Sequence, residues 1–285
     1  MEPNSERVQQ APAILKLLAH DLRWRVLLAL SHTDGRVQEI AQQTGEPANL
    51  ISYHLRQLRE LRVVTEHRSA ADGRDVYYSL DLPTLHALYV DAGAQLHPAL
   101  RLPTLLDEQP SSTQEVEQSW HTSPSAGGEH GNNTASSSGD QDVRVLFLCT
   151  HNSARSQMAE AILRQLAHDR VGVMSAGSDP TGVDPLAIQV LTEMGIDISH
   201  QRAKHVNQLS AQHFSYVITL CDHMREVCPV FPGWPAPMHW SFPDPTLVAD
   251  VGDARHQAFV RTALQLFTRI RYLLPVIEQE HFRAA

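Results

Sequence analysis

Apolar side chains recur at helical spacing along the first hundred residues and give way to two strand-like runs. Leu18, Leu22 and Val26 follow one another at intervals of four and predict a helix within residues 12–30. The same pattern predicts further helices over residues 37–45, 47–61 and 82–100, and strands over residues 63–67 and 75–80. An Asp-Gly turn between the strands indicates a β-hairpin. This part of the chain is therefore predicted to be a mainly α-helical domain with one hairpin.

The C-terminal half alternates strand-like and helix-like segments. The predicted strands are residues 143–148, 171–175, 215–220 and 237–240, and the predicted helices are residues 155–168, 184–194, 222–228 and 252–279. Such alternation favours a three-layer α/β arrangement, in which helices cover both faces of a parallel sheet and ligands bind at the carboxyl ends of the strands. Cys149 and Cys221 each follow a predicted strand, so both are expected at that edge.

A polar, acidic segment separates the two halves. Residues 107–142 contain seven Asp and Glu and no Lys or Arg, and they hold most of the excess behind the formal net charge of −9. A segment with almost no aliphatic side chains cannot offset its ordering entropy, so we expect a disordered linker that reaches about 30–36 Å. The predicted organisation is a first domain over residues 1–106, this linker, and a second domain over residues 143–285.

The positions of the cysteines and the lack of long apolar runs indicate in which compartment the protein is found. All three cysteines follow residue 148, which argues against a disulfide framework and favours thiol chemistry in a reducing compartment. No apolar run approaches the roughly 18–20 residues that cross a bilayer, and the polar N-terminus is unlike a signal peptide. We therefore expect a cytoplasmic protein with no membrane contact.

The clearest chemical signal is a cysteine and an arginine six positions apart, directly after a predicted buried strand. A strand that breaks into a polar loop and then a helix aims backbone N–H groups and the positive end of the helix at one spot. Arg155 adds a planar fork of donors for a tetrahedral oxyanion, and the same field favours the Cys149 thiolate as a nucleophile. The alternative is that Cys149 is a small core residue at a strand end.

The residues LCTHNSARSQMAEAILR resemble the low-molecular-weight protein tyrosine phosphatase family, and most closely its arsenate reductase branch, over about residues 143 to 280. The resemblance implies a four-stranded parallel sheet. It also implies an oxyanion-binding loop made of Thr150, His151, Asn152, Ser153, Ala154, Arg155 and Ser156. Asn152 would hold the shape of the loop, and Ser156 would donate to the Cys149 thiolate. His151 stands where glycine is common and Ala154 where a cysteine can occur.

Cys221 and Cys228 lie seven residues apart, about 10.5 Å between their Cα atoms on an intact helix. A disulfide needs roughly 4.4–6.8 Å, so the two can bond only if the helix unwinds. They can alternatively be two buried helix cysteines. The segment TLCDHMREVCPVFPG looks like the redox helix of thioredoxin-coupled arsenate reductases. The resemblance thus implies a thiol relay, an external dithiol such as thioredoxin, and no bound cofactor.

Asp244, within the segment HWSFPDP, matches the Asp-Pro loop that supplies the general acid in this family. Such a carboxyl group protonates the departing oxygen. Members that act on phosphotyrosine tend to carry tyrosines just after this motif. Thr246 and Leu247 stand there in this chain, which leans away from phosphotyrosine substrates.

The N-terminal pattern of a short helix, a glycine turn and a second helix predicts a helix-turn-helix motif. The second helix places Leu50, Leu55, Leu58 and Leu61 on its buried side. The segments NLISYHLRQLRELRVV and GRDVYYSLD resemble the ArsR-type family of winged-helix regulators over about residues 12 to 100. Arg62 departs from the family, which often has glycine there.

The resemblance implies operator DNA as a partner and a homodimer formed through residues 12–30 and 82–100. The candidate DNA-binding residues are Asn49, Ser52, Tyr53, Arg56, Gln57, Arg59, Arg68 and Arg74. The last two lie where a wing would touch phosphates. The alternative is a helix-turn-helix that serves only as an interaction module, since the domain is not basic overall.

No cysteine precedes Cys149, so a thiolate sensor site is excluded from the first domain. His86 and His97 are eleven residues apart and would share one face of a continuous helix, which matches half of a zinc-type site in this family. The carboxylates that would complete it are absent, because Thr84 and Leu100 occupy their places. We therefore predict no metal site, and the effector of the regulator is not determined.

The hypothesis that follows is reduction of arsenate to arsenite by Cys149, Cys221 and Cys228, in a chain that also carries an arsenic-resistance transcriptional regulator. Phosphate fits the same cradle, so weak phosphatase activity is expected. One alternative is an oxyanion-sensing regulator without turnover, which would need Arg155 but neither Cys221 nor Cys228. Another is a protein tyrosine phosphatase, which would need only Cys149.

Overall fold

The computed structural model describes residues 11–69, 73–97, 100, 143–168, 170–230, 233–249 and 253–281. These residues form two compact units, one N-terminal and one C-terminal. The predicted linker, residues 107–142, lies outside the described residues. The domain boundaries at 106 and 143 therefore stay predictions.

The first unit contains five helices and a hairpin among its described residues. Its elements are α1 (Ala13–Leu18), α2 (Asp21–Ala29), α3 (Val37–Thr44), α4 (Ala48–Glu60), β1 (Val64–Arg68), β2 (Val76–Leu80) and α5 (Leu82–Leu96). The two strands pair antiparallel, with Val64 opposite Leu80 and Arg68 opposite Val76. The predicted winged-helix architecture is confirmed.

Two of the predicted helices differ from the structure. The single helix expected over residues 12–30 is two helices, because His20 has an extended backbone and its Nδ1 accepts a hydrogen bond from the Leu22 N–H in the first turn of α2. The helix expected to reach residue 100 ends at Leu96. His97 also has an extended backbone, so it is not on the helical face that carries His86.

Helices α3 and α4 form the helix-turn-helix. Gly45 ends α3 in the left-handed conformation (φ 71°), which glycine adopts without steric cost. Ile51, Leu55 and Leu58 are fully buried on α4, whereas Leu50 is 37% exposed, so the prediction that Leu50 faces the core was wrong. The residues of α4 that face the core also include His54. Arg62 follows the helix with φ 57°, so this arginine adopts the backbone conformation that glycine would favour.

The second unit is built on a parallel sheet. Its elements are β3 (Arg144–Cys149), α6 (Arg155–Ala167), β4 (Gly172–Gly177), α7 (Pro185–Glu193), β5 (Tyr216–Thr219), α8 (Asp222–Val227), β6 (Met238–His239) and α9 (Ala254–His281), with short 3-10 turns at Val206–Leu209 and Pro245–Leu247. The strand order is β4-β3-β5-β6, and every pairing is parallel. The predicted four-stranded α/β fold is confirmed.

The central strand β3 is buried along almost its whole length, which explains its continuous apolar sequence. Helices α6 and α9 pack against each other, and α7 packs against α9. Helix α8 packs against β3 and β5. Because all four strands run the same way, the segments that follow β3, β5 and β6 emerge at one edge of the sheet. This edge carries Cys149 at the end of β3, Cys221 after β5 and Asp244 in the segment after β6.

Candidate active site

Cys149 is the last residue of β3, and residues 150–154 form the loop that leads into α6. Three carbonyl groups of this loop accept hydrogen bonds from a neighbouring segment: Thr150 from the Asp179 N–H, His151 from the Thr181 N–H and Ser153 from the Asp184 N–H, at 2.9–3.1 Å. In a trans peptide the carbonyl group and the following N–H point in opposite directions. The N–H groups that follow these carbonyls are therefore turned away from the neighbouring segment, as an oxyanion cradle requires.

The N-terminus of α6 completes the cradle. Ala154 precedes the helix, and its side chain forms no capping hydrogen bond. The first N–H groups of a helix have no partner within the helix and carry partial positive charge. Ala154, Arg155 and Ser156 are buried, so this charge acts where little water screens it. The arrangement suits a small anion.

The Cys149 sulfur lies 2.9 Å from the Ser156 hydroxyl oxygen. Ser156 Oγ also accepts a hydrogen bond from Asn152 Nδ2 at 2.8 Å. The amide N–H occupies one lone pair of this oxygen, and the hydroxyl can donate its proton to the sulfur when Cys149 is a thiolate. The structure thus places Ser156 where the sequence hypothesis needs a donor to the thiolate.

Asn152 is the centre of the loop's hydrogen bonds. Its backbone has φ 46°, and its Nδ2 also donates to Ser175 Oγ at 2.9 Å. Its Oδ1 accepts from Gln157 Nε2 at 3.0 Å and from the Lys204 N–H at 2.7 Å. A buried amide with all these partners satisfied resists any change of the loop. This agrees with the predicted role of Asn152 in holding the loop shape.

The sequence hypothesis missed two residues that support the loop from β4. Ser175 accepts the Asn152 bond and donates to Glu160 Oε2 at 2.6 Å. Gly177 lies opposite Cys149 in the sheet, and a Cβ atom added there would lie 2.4 Å from the Thr150 carbonyl oxygen. Neither gave a signal in the sequence, because Ser175 ends a predicted strand and Gly177 follows it as an ordinary glycine.

Arg155 is buried and connects the loop to Asp244. Its Nη1 donates to the Phe242 carbonyl oxygen at 3.0 Å, and its Nη2 donates to Asp244 Oδ2 at 2.5 Å. The side chains of the pair are only 5% and 12% exposed. Asp244 Oδ1 accepts from the Thr246 N–H and hydroxyl. The predicted oxyanion-binding arginine and the predicted acid therefore meet, and an anion that binds Arg155 competes with Asp244 for the guanidinium.

Cys221 follows β5 and reaches the same loop. Its sulfur lies 3.3 Å from the Thr150 hydroxyl oxygen. Burial raises the pKa of the Cys221 thiol, and the positive charge of Arg155 and the Thr150 hydrogen bond oppose that shift without cancelling it. Thr150 thus links the oxyanion loop to the second cysteine.

Cys228 lies just beyond the other end of α8 from Cys221. It is half-buried, and burial raises its pKa to about 11. The six helical residues Asp222–Val227 separate the two cysteines, and all three cysteines are free thiols. The C-terminal end of α8 is open to solvent, since Val227 is 45% and Val230 94% exposed. A direct Cys221–Cys228 bond therefore requires α8 to open.

The N-terminal end of α8 is held more firmly, by a buried polar network that sequence reasoning missed. Asp222 Oδ1 accepts hydrogen bonds from His239 Nε2 at 3.0 Å and from Ser241 Oγ at 2.5 Å. His239 Nδ1 lies 2.9 Å from the Thr219 hydroxyl. Burial acts to raise the pKa of Asp222, but the hydrogen bonds from His239 and Ser241 outweigh it and hold the pKa well below the usual range. An ionised Asp222 thus anchors the first residue of α8.

The candidate DNA-binding residues divide into two groups. Asn49, Ser52, Tyr53 and Arg56 are exposed along one face of α4, and Asn49, Ser52 and Arg74 line one groove. Arg68 and Arg74 are exposed at the ends of the two hairpin strands.

Gln57 and Arg59, the remaining two candidates, bond to side chains of α2 and β1. Gln57 accepts a hydrogen bond from Arg23 Nη1 and donates to the Tyr53 hydroxyl, both at 2.7 Å. Arg59 forms an ion pair with Glu66 at 2.6 Å. Arg56 is therefore the more available cation on α4.

The described residues contain no group of three or more His, Cys, Asp or Glu side chains that could hold a metal ion. None of the helices in the described part of the chain is long and apolar enough to cross a membrane.

Each unit matches a known protein family. Residues 144–246 match the family described as low molecular weight phosphotyrosine protein phosphatase, and residues 20–66 match the family described as bacterial regulatory protein, arsR family.

Individual relatives match the C-terminal unit. A protein named arsenate reductase from Halalkalibacterium halodurans is 38% identical over 127 residues, which cover 45% of this chain and 91% of that protein. Another of that name, from Bacillus cereus, is 43% identical over 101 residues, which cover 35% of this chain and 75% of that protein. A solved structure described as an arsenate reductase in the phosphate binding state is 30% identical and covers 47% of this chain and 98% of that one, with a TM-score of 0.38.

Proposed function

Because the chain belongs to the low molecular weight phosphotyrosine protein phosphatase family and carries an arsR-family segment before that domain, we propose that it reduces arsenate to arsenite and binds operator DNA. The relatives from Halalkalibacterium halodurans and Bacillus cereus are both named arsenate reductase. The observation that carries the reductase proposal is the position of Cys221, whose sulfur lies 3.3 Å from the Thr150 hydroxyl of the oxyanion loop. A phosphatase has no use for a second thiol at that place.

The first step is attack on arsenic. Arsenate accepts hydrogen bonds from the N–H groups of the loop and replaces Asp244 as the partner of the Arg155 guanidinium. The Cys149 thiolate, with the Ser156 hydroxyl 2.9 Å from its sulfur, forms a bond to arsenic(V). Asp244 delivers a proton to the departing oxygen, which leaves as water. The product is a Cys149–arsenic adduct.

The next steps transfer two electrons to arsenic and leave a disulfide, which is then passed to the cysteine pair nearer the surface. Cys221 attacks the Cys149 sulfur, the sulfur–arsenic bond breaks, and its electron pair stays on arsenic, which leaves as arsenite. A Cys149–Cys221 disulfide remains. Cys228 then attacks Cys221, which restores the Cys149 thiolate and forms a Cys221–Cys228 disulfide as α8 opens. An external dithiol, which we propose to be thioredoxin, reduces that disulfide.

Replacement of Cys228 by serine should leave the first turnover intact and abolish sustained turnover, because Cys149 then stays locked in its disulfide with Cys221. The measurement is arsenate-dependent NADPH oxidation with thioredoxin and thioredoxin reductase, next to arsenite released in a single turnover. Cys149→Ser should abolish both signals. An unchanged steady-state rate in Cys228→Ser would contradict the relay. A wild-type protein that binds arsenate without turnover would favour the oxyanion-sensing regulator.

DNA binding is proposed from the arsR-family match together with the exposed polar face of α4. Tyr53 and Arg56 project from this face, and Arg68 and Arg74 lie at the ends of the hairpin strands. Phosphate contacts by such arginines supply most of the affinity for non-specific DNA. A homodimer through residues 12–30, which form α1 and α2, and through α5 would double their number. Exposed apolar residues on those helices, Leu15, Tyr89 and Leu96, support this mode of association.

Arg56 and Arg59 offer a matched test of the DNA-binding face. Arg56→Gln should weaken binding to a random-sequence duplex and lower the slope of log affinity against log salt by about 0.9 for each phosphate that residue 56 no longer neutralises. Arg59→Gln should change the slope little, because Arg59 is already paired with Glu66. Fluorescence anisotropy over a salt series measures both. Equal slopes for Arg56→Gln and the wild type would show that Arg56 contacts no phosphate and would contradict the proposed role of this residue.

A further inference from the structure

The segment that carries Asp244 leaves the sheet immediately before it. The Trp240 N–H donates to the Thr219 carbonyl oxygen at 2.9 Å and is the last step of the β5–β6 pairing. Residues 241–244 then run past the active site to the 3-10 turn at Pro245–Leu247. The position of Asp244 therefore depends on what holds Trp240 and Phe242, the two aromatic residues on the way.

Both aromatic side chains are buried, and both contact one guanidinium from the long helix α9. The Arg269 Cζ lies 5.6 Å from the centre of the Trp240 ring and 5.7 Å from the centre of the Phe242 ring. A cation within about 6 Å of a ring face is attracted by the ring quadrupole. The centre of the Trp240 ring also lies 6.2 Å from the centre of the ring of Phe147, a fully buried residue of the central strand β3.

The position of Phe242 affects the reacting groups directly. Its carbonyl oxygen accepts the hydrogen bond from Arg155 Nη1, while Arg155 Nη2 holds Asp244 two residues further on. A shift of Phe242 would therefore alter both bonds of Arg155 and the reach of Asp244 at once. A guanidinium is planar and weakly hydrated, so it can lie against two rings, whereas a lysine ammonium is a compact and strongly hydrated charge.

We propose that Arg269 is a positioning residue for Asp244, which it holds in place through Trp240 and Phe242. The inference rests on the proposed reductase function, in which Asp244 delivers the proton of the first step. Arg269 touches neither substrate nor sulfur in this proposal. Its replacement removes no group of the oxyanion loop and none of the three thiols, and it acts on the first step through the position of Asp244.

A double-mutant cycle separates this role from a general structural one. The rate of the first turnover is measured for the full-length wild type, Arg269→Lys, Asp244→Asn and the double variant. If Arg269 acts through Asp244, then Arg269→Lys should slow the wild type about tenfold and should not slow Asp244→Asn further. Asp244→Asn alone should slow the step by about 10²–10⁴-fold, the range of general acid catalysis. Arg271→Lys is the matched control, because Arg271 lies over Phe267 within α9, and it should match the wild type.

Two outcomes would overturn the proposal: a first turnover of Arg269→Lys equal to that of the wild type, or the same tenfold loss in the Asp244→Asn background. A second measurement does not depend on activity. The Thr246 amide donates to Asp244 Oδ1 at 3.0 Å, so its proton chemical shift in threonine-labelled protein reports where Asp244 lies. Arg269→Lys should move this resonance and Arg271→Lys should not. A wild-type protein inactive toward arsenate would contradict the proposed function, and the Thr246 resonance would still decide the role of Arg269.

Discussion

Replacing Arg155 by lysine should lower kcat/KM for arsenate by about 10²–10³-fold, the cost of one lost oxyanion donor in a buried site. Lysine keeps the positive charge but has no planar fork. It cannot bond the Phe242 carbonyl and the Asp244 carboxylate together as Arg155 does. The loss should appear both in turnover with thioredoxin and in the affinity for phosphate, measured by calorimetry on the reduced protein.

A surface arginine supplies the control for this substitution. Arg170 is about half exposed and pairs with Glu278, so Arg170→Lys should change neither turnover nor phosphate affinity. A kcat/KM within threefold of the wild type for Arg155→Lys would show that charge alone suffices and that the fork geometry is unimportant. That result would also weaken the argument that arsenate displaces Asp244 from Arg155.

Gly177→Ala should lower kcat/KM by about 10²-fold, because it moves the oxyanion loop without removing any functional group. The new Cβ would lie 2.4 Å from the Thr150 carbonyl oxygen, 2.8 Å from the Cys149 carbonyl oxygen and 2.9 Å from the Asn152 nitrogen. All three are backbone atoms, so no side chain can swing aside. Overpacking of this kind typically costs about 1–3 kcal/mol of the free energy of unfolding.

Gly233→Ala separates loop displacement from loss of stability, because Gly233 lies outside the segments that hold the oxyanion loop. Gly233 has φ 80°, and a Cβ there would meet only the His213 Cδ2 atom, at an ordinary contact distance of 3.8 Å. Alanine in a left-handed conformation costs about 1–2 kcal/mol but pushes on nothing. Melting temperatures should therefore fall in both variants, while turnover should fall only in Gly177→Ala. Equal loss of turnover in the two would mean that stability, not the position of the loop, limits activity.

The order of helices and strands could be predicted from periodicity because it is a local property of the chain. The β3 strand, the α6 helix and a parallel sheet followed from apolar runs and their alternation, and the number of four strands followed from the family resemblance. Both family resemblances were confirmed. The errors lie where a single residue determines where a helix begins or ends. His20 caps a helix start inside an unbroken apolar pattern, and His97 ends α5 by taking an extended backbone. Periodicity carries no information about either event.

The sequence by itself determined the composition of the loop, since Cys149, Asn152, Arg155 and Ser156 lie within eight consecutive positions and a strand–loop–helix turn must bring them together. Only the tertiary structure decided what holds that loop and what it faces. Ser175 and Gly177 come from β4, Asp222 is anchored by His239, and Arg269 comes from α9 and lies 25 residues beyond Asp244 in the sequence. Such contacts join side chains whose spacing along the chain is arbitrary. They depend on helix packing and on the register of the strands, and the nearly continuous apolar sequence of a parallel strand that is buried on both faces does not specify that register.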